Sequence, residues 1–574
     1  MVEECKTKLK PNCDHCDSQV KDAYDLQDPR IIQKLSVCLN GLSYLSGDLT
    51  YLENLTKLDI SKNNLEELPT SVCLLKKLEH LVVNDNKLVT LPDLVGELCS
   101  LKILCLSKNQ IKVLPDSLGN LDLREMYLDD NNLTDLPLSF VQLNDLKTLD
   151  VANNCLKTVP KCITNGMKRL EKLDLSFNRS INHLHPKPAS NRLRWLYFKE
   201  VGPCLWFPSW LFTSMYVNFE EISFNRTQFE RYDIPHGNIE LRVKRLSMEN
   251  CNLSDIELGK VLSLATGLQE LNISNTQKVS KCNMLSNLPL TALKNKKELR
   301  EIHARATGLP TIQATISEFE NLTVLNLGRN NIFWLPDEIC QLTNLEVLIV
   351  EGNSLITLPD NIGDMAALVK LQAAWNSLSS LPDSVQRLKS LRFLDLYMND
   401  FMEVPESAEK IDCLFGFDID GNYFDTTGLW IGKVSYEDLK NKIRKNSGIV
   451  DTPRFSGPRI EATENSESSS QPPSASTGNN SPGEISPKMD NEKHEFEENW
   501  DVSEDSTDEF DPNSQREPKC RRKYKTFDDG WRWKNFFDPS DLHSKRTGER
   551  VLVIQRNNPD KLAIMSGEDQ FEDA

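Results

Sequence analysis

The sequence predicts an α/β solenoid, a horseshoe of about 17 repeats with a parallel sheet on its concave side. Three observations carry this. A template of the form L-x-x-L-x-L-x-x-N-x-L fits Leu55, Leu58, Ile60, Asn63 and Leu65, and its asparagine returns at Asn86, Asn109, Asn131, Asn154 and Asn178 in steps of 22 to 24 residues. A second run places it at Asn330, Asn353, Asn376, Asn399 and Asn422, every step being 23. Between the runs the apolar frame continues while the asparagine is replaced in turn by Val201, Thr227, Cys251, Thr276 and Thr307.

Each part of the template has a physical job. Alternate apolar residues in L-x-L make a short strand with one inward face. The asparagine amide satisfies buried backbone groups where the chain turns away from that strand. One unit is too small to bury its own leucines, so the units must stack. At roughly 4.8 Å between strands the stack runs about 80 Å along its inner arc, a surface suited to holding a protein. Thr and Cys replace the amide hydrogen bonds only in part and Val201 cannot, which predicts an irregular middle over residues 179–320 with a bend or change of curvature.

Residues 1–29 read as an N-terminal tail or cap, and a looser first copy at Ile32, Leu35, Val37, Asn40 and Leu42 opens a solenoid spanning residues 30–425. Residues 426–450 close it, the amphipathic stretch from Tyr436 to Arg444 covering the last exposed leucines as a terminal cap must. Residues 451–518 are a disordered, acidic, Ser/Pro-rich linker, with 17 acids against 5 bases, a net of −12 out of the whole chain's −18. Thr452, Ser481 and Ser486 precede proline and Ser506 precedes acids, so phosphate there adds further negative charge. Residues 519–574 form a basic-aromatic C-terminal segment: the cluster Lys519 to Lys525 is followed by Trp531, Trp533, Phe536 and Phe537, candidate docking residues. Basic residues beside aromatics suit acidic proteins, anionic lipid heads or single-stranded nucleic acid, and the cluster also fits a nuclear import signal. Arg550 to Gln555 reads as a strand able to extend a sheet edge.

Composition excludes several classes. The chain has 574 residues and a net charge of −18, from 67 Lys plus Arg against 85 Asp plus Glu, which argues against a general duplex-binding surface. Met1 to Lys10 has no apolar core of a secretory signal and no segment approaches the roughly 18 apolar residues of a spanning helix, so the reading is a soluble cytoplasmic protein, with the nucleus left open through Lys519 to Lys525. The 15 cysteines fall at repeat-core places such as Cys38, Cys105 and Cys251 rather than in pairs, which favours reduced thiols. No Walker loop, G-x-S-x-G, H-E-x-x-H or kinase set is present. Cys13-Asp-His-Cys16 has a metal-like pair spacing, but zinc needs four ligands and no second pair follows. The expectation is therefore no catalysis, no cofactor, no metal and no small-molecule substrate.

Segments such as Leu68-Pro-Thr-Ser-Val-Cys-Leu-Leu-Lys-Lys-Leu-Glu-His-Leu-Val-Val-Asn-Asp-Asn86, and its counterpart from Leu335-Pro336 to Asn353, follow L-P-x-x-I-x-x-L-x-x-L-x-x-L-x-L-x-x-N. This pattern resembles the intracellular Ras-group leucine-rich repeat proteins and covers about two thirds of the chain. The resemblance implies a leucine-rich repeat horseshoe acting as a scaffold or adaptor in signalling, with a protein partner, such as a small GTPase or phosphatase subunit, on the concave face or an edge. A regulatory or substrate-recruiting subunit of a phosphatase or ubiquitin ligase is the alternative.

Residues between and just after the consensus leucines are expected to point out of the concave sheet. Large aromatics there are informative because Trp and Tyr dominate interface energetics. Tyr127, Phe177, Trp195 and Tyr197 make one candidate patch, and Trp375 with Tyr397 another. Asp129, Asp150 and Asp174 lie among the first, so a partner bringing Arg or Lys is steered in. Gln372, Asp395 and Asp418 are expected on the same outward face farther along.

Overall fold

The structure is a computed structural model that describes residues 30–423, apart from 31, 39–40, 46–48, 213–217, 234–238, 277–281 and 420, together with 551–553 and 563–565. The expected tail, cap and acidic linker, the basic cluster, and Trp531, Trp533, Phe536 and Phe537 lie outside the described residues.

Short strands form where L-x-L predicts them. The first run gives β1 (Lys34–Ser36), β2 (Lys57–Asp59), β3 (His80–Val82), β4 (Ile103–Cys105), β5 (Glu125–Tyr127), β6 (Thr148–Asp150), β7 (Lys172–Asp174) and β8 (Trp195–Tyr197). The middle gives β9 (Cys204–Trp206), β10 (Phe219–Ser223), β11 (Phe229–Arg231), β12 (Leu241–Ser247), β13 (Ala265–Thr266), β14 (Glu270–Asn272) and β15 (Glu301–His303). The second run gives β16 (Val324–Asn326), β17 (Val347–Ile349), β18 (Lys370–Gln372), β19 (Phe393–Asp395) and β20 (Gly416–Asp418). Seventeen of these, one per repeat, form a single parallel sheet. Leucine stands against leucine across it, as in Leu58 with Leu81 and Leu371 with Leu394, and these central side chains are buried in one continuous core.

Most units return over the outer side through a 3₁₀ turn. Asp93–Glu97, Asp116–Asn120, Asp337–Gln341 and Asp383–Arg387 each follow a proline, whose fixed φ sets the entry and whose missing N–H leaves no donor unpaired at the start.

The asparagines form a ladder joining successive units. Asn109 Nδ2 donates to the Val83 carbonyl of the preceding unit and to Leu106, each at 3.0 Å, while its Oδ1 accepts from the Leu88 N–H at 3.0 Å. The residue just before each rung turns left-handed: Lys108, Asp130, Phe177, Trp375 and Met398 all have φ between 52° and 59°. A side chain there costs on the order of 1 kcal/mol, offset by the rung that follows.

In the middle, other groups take over the rungs. The Thr227 hydroxyl donates to the Phe198 carbonyl and accepts from Val201 N–H at 3.0 Å, and Cys251 Sγ donates to Phe224 and Glu249 carbonyls at 3.2 and 3.3 Å. The expectation for Thr276 is corrected. Its unit is completed by Asn283, whose Nδ2 donates to Met248 and Ile273 carbonyls at 2.8 Å and whose Oδ1 accepts from Cys251 and Leu253 N–H at 3.0 Å. Extra residues between Thr276 and Asn283 carry the rung out of register with the repeat.

The same region widens. β10 and β12 lengthen to 5 and 7 residues, β9 and β11 pair in a separate two-stranded sheet, and the helix α1 (Asp255–Leu264), closed by a Ser254/Glu257 capping box, replaces a 3₁₀ turn. Phe207 packs against Phe212, Phe224, Phe229 and Tyr232 with ring centroids 5.1 to 5.6 Å apart, so aromatic volume fills the wider core.

The strand expected at residues 550–555 forms as β21 (Val551–Val553). It pairs in parallel with β1, Leu35 against Leu552, and antiparallel with β22 (Ala563–Met565), so the far end of the sequence lies on the first edge of the sheet. Among the described residues no helix is long and apolar enough to cross a membrane.

Candidate partner-binding face

The candidate face is built by strand register. Tyr127 pairs with Asp150, Asp150 with Asp174 and Asp174 with Tyr197, so two carboxylates lie side by side in one row, bracketed by two tyrosines. Two residues earlier on each strand, Glu125, Thr148, Lys172 and Trp195 make a parallel row that Glu221 continues on β10. The residues between the rows, Met126, Leu149, Leu173 and Leu196, are buried, which turns both rows outward.

The aspartates also shape the backbone. Asp150 Oδ1 accepts from Ala152 N–H at 3.0 Å and Asp174 Oδ1 from Ser176 N–H at 2.9 Å, an Asx turn that Asp59 repeats with Ser61 at 2.9 Å. Ser107 Oγ donates to Asp129. Fixed in this way, the carboxylates cannot swing apart. Burial first, then the neighbouring charges of Asp174 and Asp129, push the Asp150 carboxyl well above the usual carboxylate range.

The aromatics are held as well. Tyr127 OH donates to Glu125 Oε2 at 2.8 Å, and burial, with the neighbouring charges of Glu125 and Glu221, keeps the Tyr127 and Tyr197 phenols above their ordinary range. Lys172 Nζ lies 5.7 Å from the Tyr197 ring centre, and the Arg194 guanidinium 4.9 Å from that of Trp195. These rings are a fixed, polar-edged platform rather than loose side chains.

Two expected residues lie elsewhere. Phe177 and Trp375 occupy the left-handed turns beyond β7 and β18, with φ of 59° and 56°, and therefore sit at the rim instead of on the strands. Trp375 meets Tyr397 edge to face, centroids 5.7 Å apart and planes at 73°. Gln372, Asp395 and Asp418, expected to face outward, are buried, Asp395 accepting from Tyr397 N–H at 3.2 Å.

Register also gathers a cluster that repeat reading passed over. Glu270 on β14 pairs with Glu301 on β15, and the ligand-type atoms of Glu270, Glu301 and His303 lie within 4.8 Å of one another. His303 Nε2 is 3.3 Å from Glu301 Oε2. Burial and then the Glu301 charge raise Glu270, whereas the His303 hydrogen bond lowers Glu301. The E-L-N and E-I-H strand triplets were the available sign, hidden because the two lie outside the regular runs. The cluster extends the acidic character of the face, with Arg245 bridging toward Glu221 at 3.1 Å.

Sequence families agree with this geometry. A leucine-rich repeat region family matches residues 259–408, and shorter leucine-rich repeat families match 122–179, 54–75 and 100–121. The chain is a leucine-rich repeat solenoid. Solved structures with a similar fold include the leucine-rich repeat protein LIC12759 of Leptospira interrogans, 24% identical over 74% of this chain and 96% of that one, with a TM-score of 0.46. YopM from Yersinia enterocolitica is 23% identical over 73% and 90%, with a TM-score of 0.45. The plant peptide hormone receptor RGFR1, solved with RGF2, is 23% identical over 63% of this chain and 59% of its own, with a TM-score of 0.43. No curated protein matches the chain at significant similarity.

Proposed function

We propose that this leucine-rich repeat solenoid is a non-catalytic protein-binding scaffold whose concave face over β5–β8 takes a partner segment bearing Lys or Arg. The observation that carries the reading is the row Tyr127, Asp150, Asp174, Tyr197: two carboxylates on adjacent strands, pinned by turn N–H groups and walled by rings. A guanidinium or ammonium placed there relieves the repulsion between the aspartates and gains a ring face on either side. The role is that of an intracellular signalling adaptor, with a small GTPase or phosphatase subunit as the partner class. Support for that finer reading is the Ras-group form of the repeats and the buried free thiols of Cys73, Cys105, Cys162, Cys204, Cys251 and Cys340.

Proximity labelling in cells tests it. The full chain is compared with a Tyr127→Ala, Asp150→Asn, Asp174→Asn, Tyr197→Ala chain of unchanged expression and melting temperature. The reading expects a defined subset of labelled proteins to disappear; an unaltered set removes this face from consideration.

A further inference from the structure

A second surface lies on the flank of the solenoid, where each unit leaves its rung. There Phe333, Trp334, Ile356 and Met402, three or four residues after their rungs, are large apolar side chains with 49% to 74% of their surface exposed. They form a stripe because the flank is itself a hydrogen-bonded ladder. Ser354 N–H donates to the Ile332 carbonyl at 3.0 Å, Ile356 N–H to Phe333 at 3.4 Å, Ser377 N–H to Leu355 at 2.9 Å and Asp400 N–H to Leu378 at 2.9 Å. Successive units of the flank are therefore held at about the spacing of strands, roughly 4.8 Å, and Ser379 interrupts the apolar column once, between Ile356 and Met402.

The first run supplies an internal comparison. The residue three after the rung is Phe333, Ile356, Ser379 and Met402 in the second run, but Glu66, Val89, Lys112, Thr134 and Lys157 in the first. Four of these five first-run residues are polar, so the fold does not need apolar groups here. Four residues farther on, the second run sets an acid in every unit, Asp337, Asp360, Asp383 and Glu406, where the first has Thr70, Asp93, Asp116, Leu138 and Lys161. Three of the four are exposed aspartates, and Glu406 reaches only Lys410, at 3.9 Å. An apolar column thus runs beside an acidic one.

The geometry points to a basic amphipathic helix of a partner protein as the occupant. A helix laid along the stripe presents its apolar face once per turn, about every 5.4 Å, close to the spacing of the units. From Phe333 to Met402 there are three inter-unit steps, about 14 Å, which matches roughly 10 helical residues. Lys and Arg along one border of that helix would meet the acidic column, whereas acids there would be repelled. This surface is separate from the concave face and shares no residue with it.

The probe for the test is a fluorescent 21-residue peptide with leucines on one helical face and lysines bordering it, titrated against the full chain. A glutamate-bordered version serves as control. The expectation is that Phe333→Ser, Trp334→Ser, Ile356→Ser together weaken the lysine peptide at least 10-fold while leaving the melting temperature in place, since Ser379 and Ser380 already occupy the equivalent positions of another unit. Asp337→Asn, Asp360→Asn, Asp383→Asn is expected to weaken it several-fold and to flatten its salt dependence. The glutamate peptide is expected to bind at least 10-fold more weakly than the lysine one. Equal binding of the two peptides, or equal binding by the serine variant, overturns the proposal. So does loss of binding in Asp150→Asn, Asp174→Asn, which would put the peptide on the concave face. A wild-type dimer in sedimentation velocity that the serine variant lacks would also overturn it, by assigning the stripe to a second copy.

Discussion

Asp150 faces Tyr127 on one side and Asp174 on the other, and its raised pKa has a definite linkage. The folded chain holds a proton that the unfolded chain releases near 3.8, so stability falls as pH rises from about that value through the folded pKa. Asp150→Asn keeps an acceptor for Ala152 N–H and removes the charge. It is expected to stabilise the chain at pH 7 by about 1 kcal/mol and to flatten that decline, measured by urea unfolding between pH 4 and pH 8. The same substitution should weaken capture of a basic partner, separating a binding residue from one kept for stability. Asn109 lies at the other extreme. Asn109→Ala strands the Leu88 N–H and the Val83 carbonyl in the core, and is expected to cost about 3 kcal/mol in the same assay. At this scale the site was partly legible: alternation over Tyr127, Asp150, Asp174 and Tyr197 gave the row. Phe177 and Trp375 were placed with the strands because alternation was read one step too far: the residue just before each rung belongs to the left-handed turn.

Between elements, the outer turns stack so closely that some positions admit only glycine. A Cβ on Gly119 would lie 2.6 Å from the Ser139 carbonyl oxygen, and one on Gly363 would lie 2.0 Å from that of Ser384. Gly119→Ala should therefore cost about 1 to 3 kcal/mol, and Gly363→Ala at least as much, read from thermal unfolding of the full chain. If both variants melt with the wild type, the outer turns are not the tight seam described above. Strands and turns of the regular runs were legible because one spacing specified both. Asn283 was missed because an insertion broke that spacing, and the β9–β11 sheet because three-residue strands off the template carry too little pattern. The aromatic core around Phe207 shows what maintains the middle once the ladder thins: volume replaces hydrogen bonds.

Across the whole molecule, the repeat arithmetic specified a single continuous sheet, and the structure has it, with seventeen strands in sequence order. The partner of β21 was not legible. Val551, Leu552 and Val553 read as a strand, but nothing local says that Lys34 to Ser36 receives it, since pairing across the full length of a chain is set by where both edges end up. Leu552→Pro should disturb this junction. The expected result is faster hydrogen exchange at Leu35 and Ser36, with Leu371 and Leu394 unaffected; uniform exchange along the sheet would instead mean that the two ends are uncoupled.

That junction also has a consequence for synthesis. Because β21 is made only after the whole solenoid, a growing chain carries its first strand without this pairing until residues 551–553 have emerged. Every nascent copy on a polysome would then expose the same sticky border, and truncated products ending before residue 551 would retain it permanently, which marks them out for chaperones or for mispairing with each other.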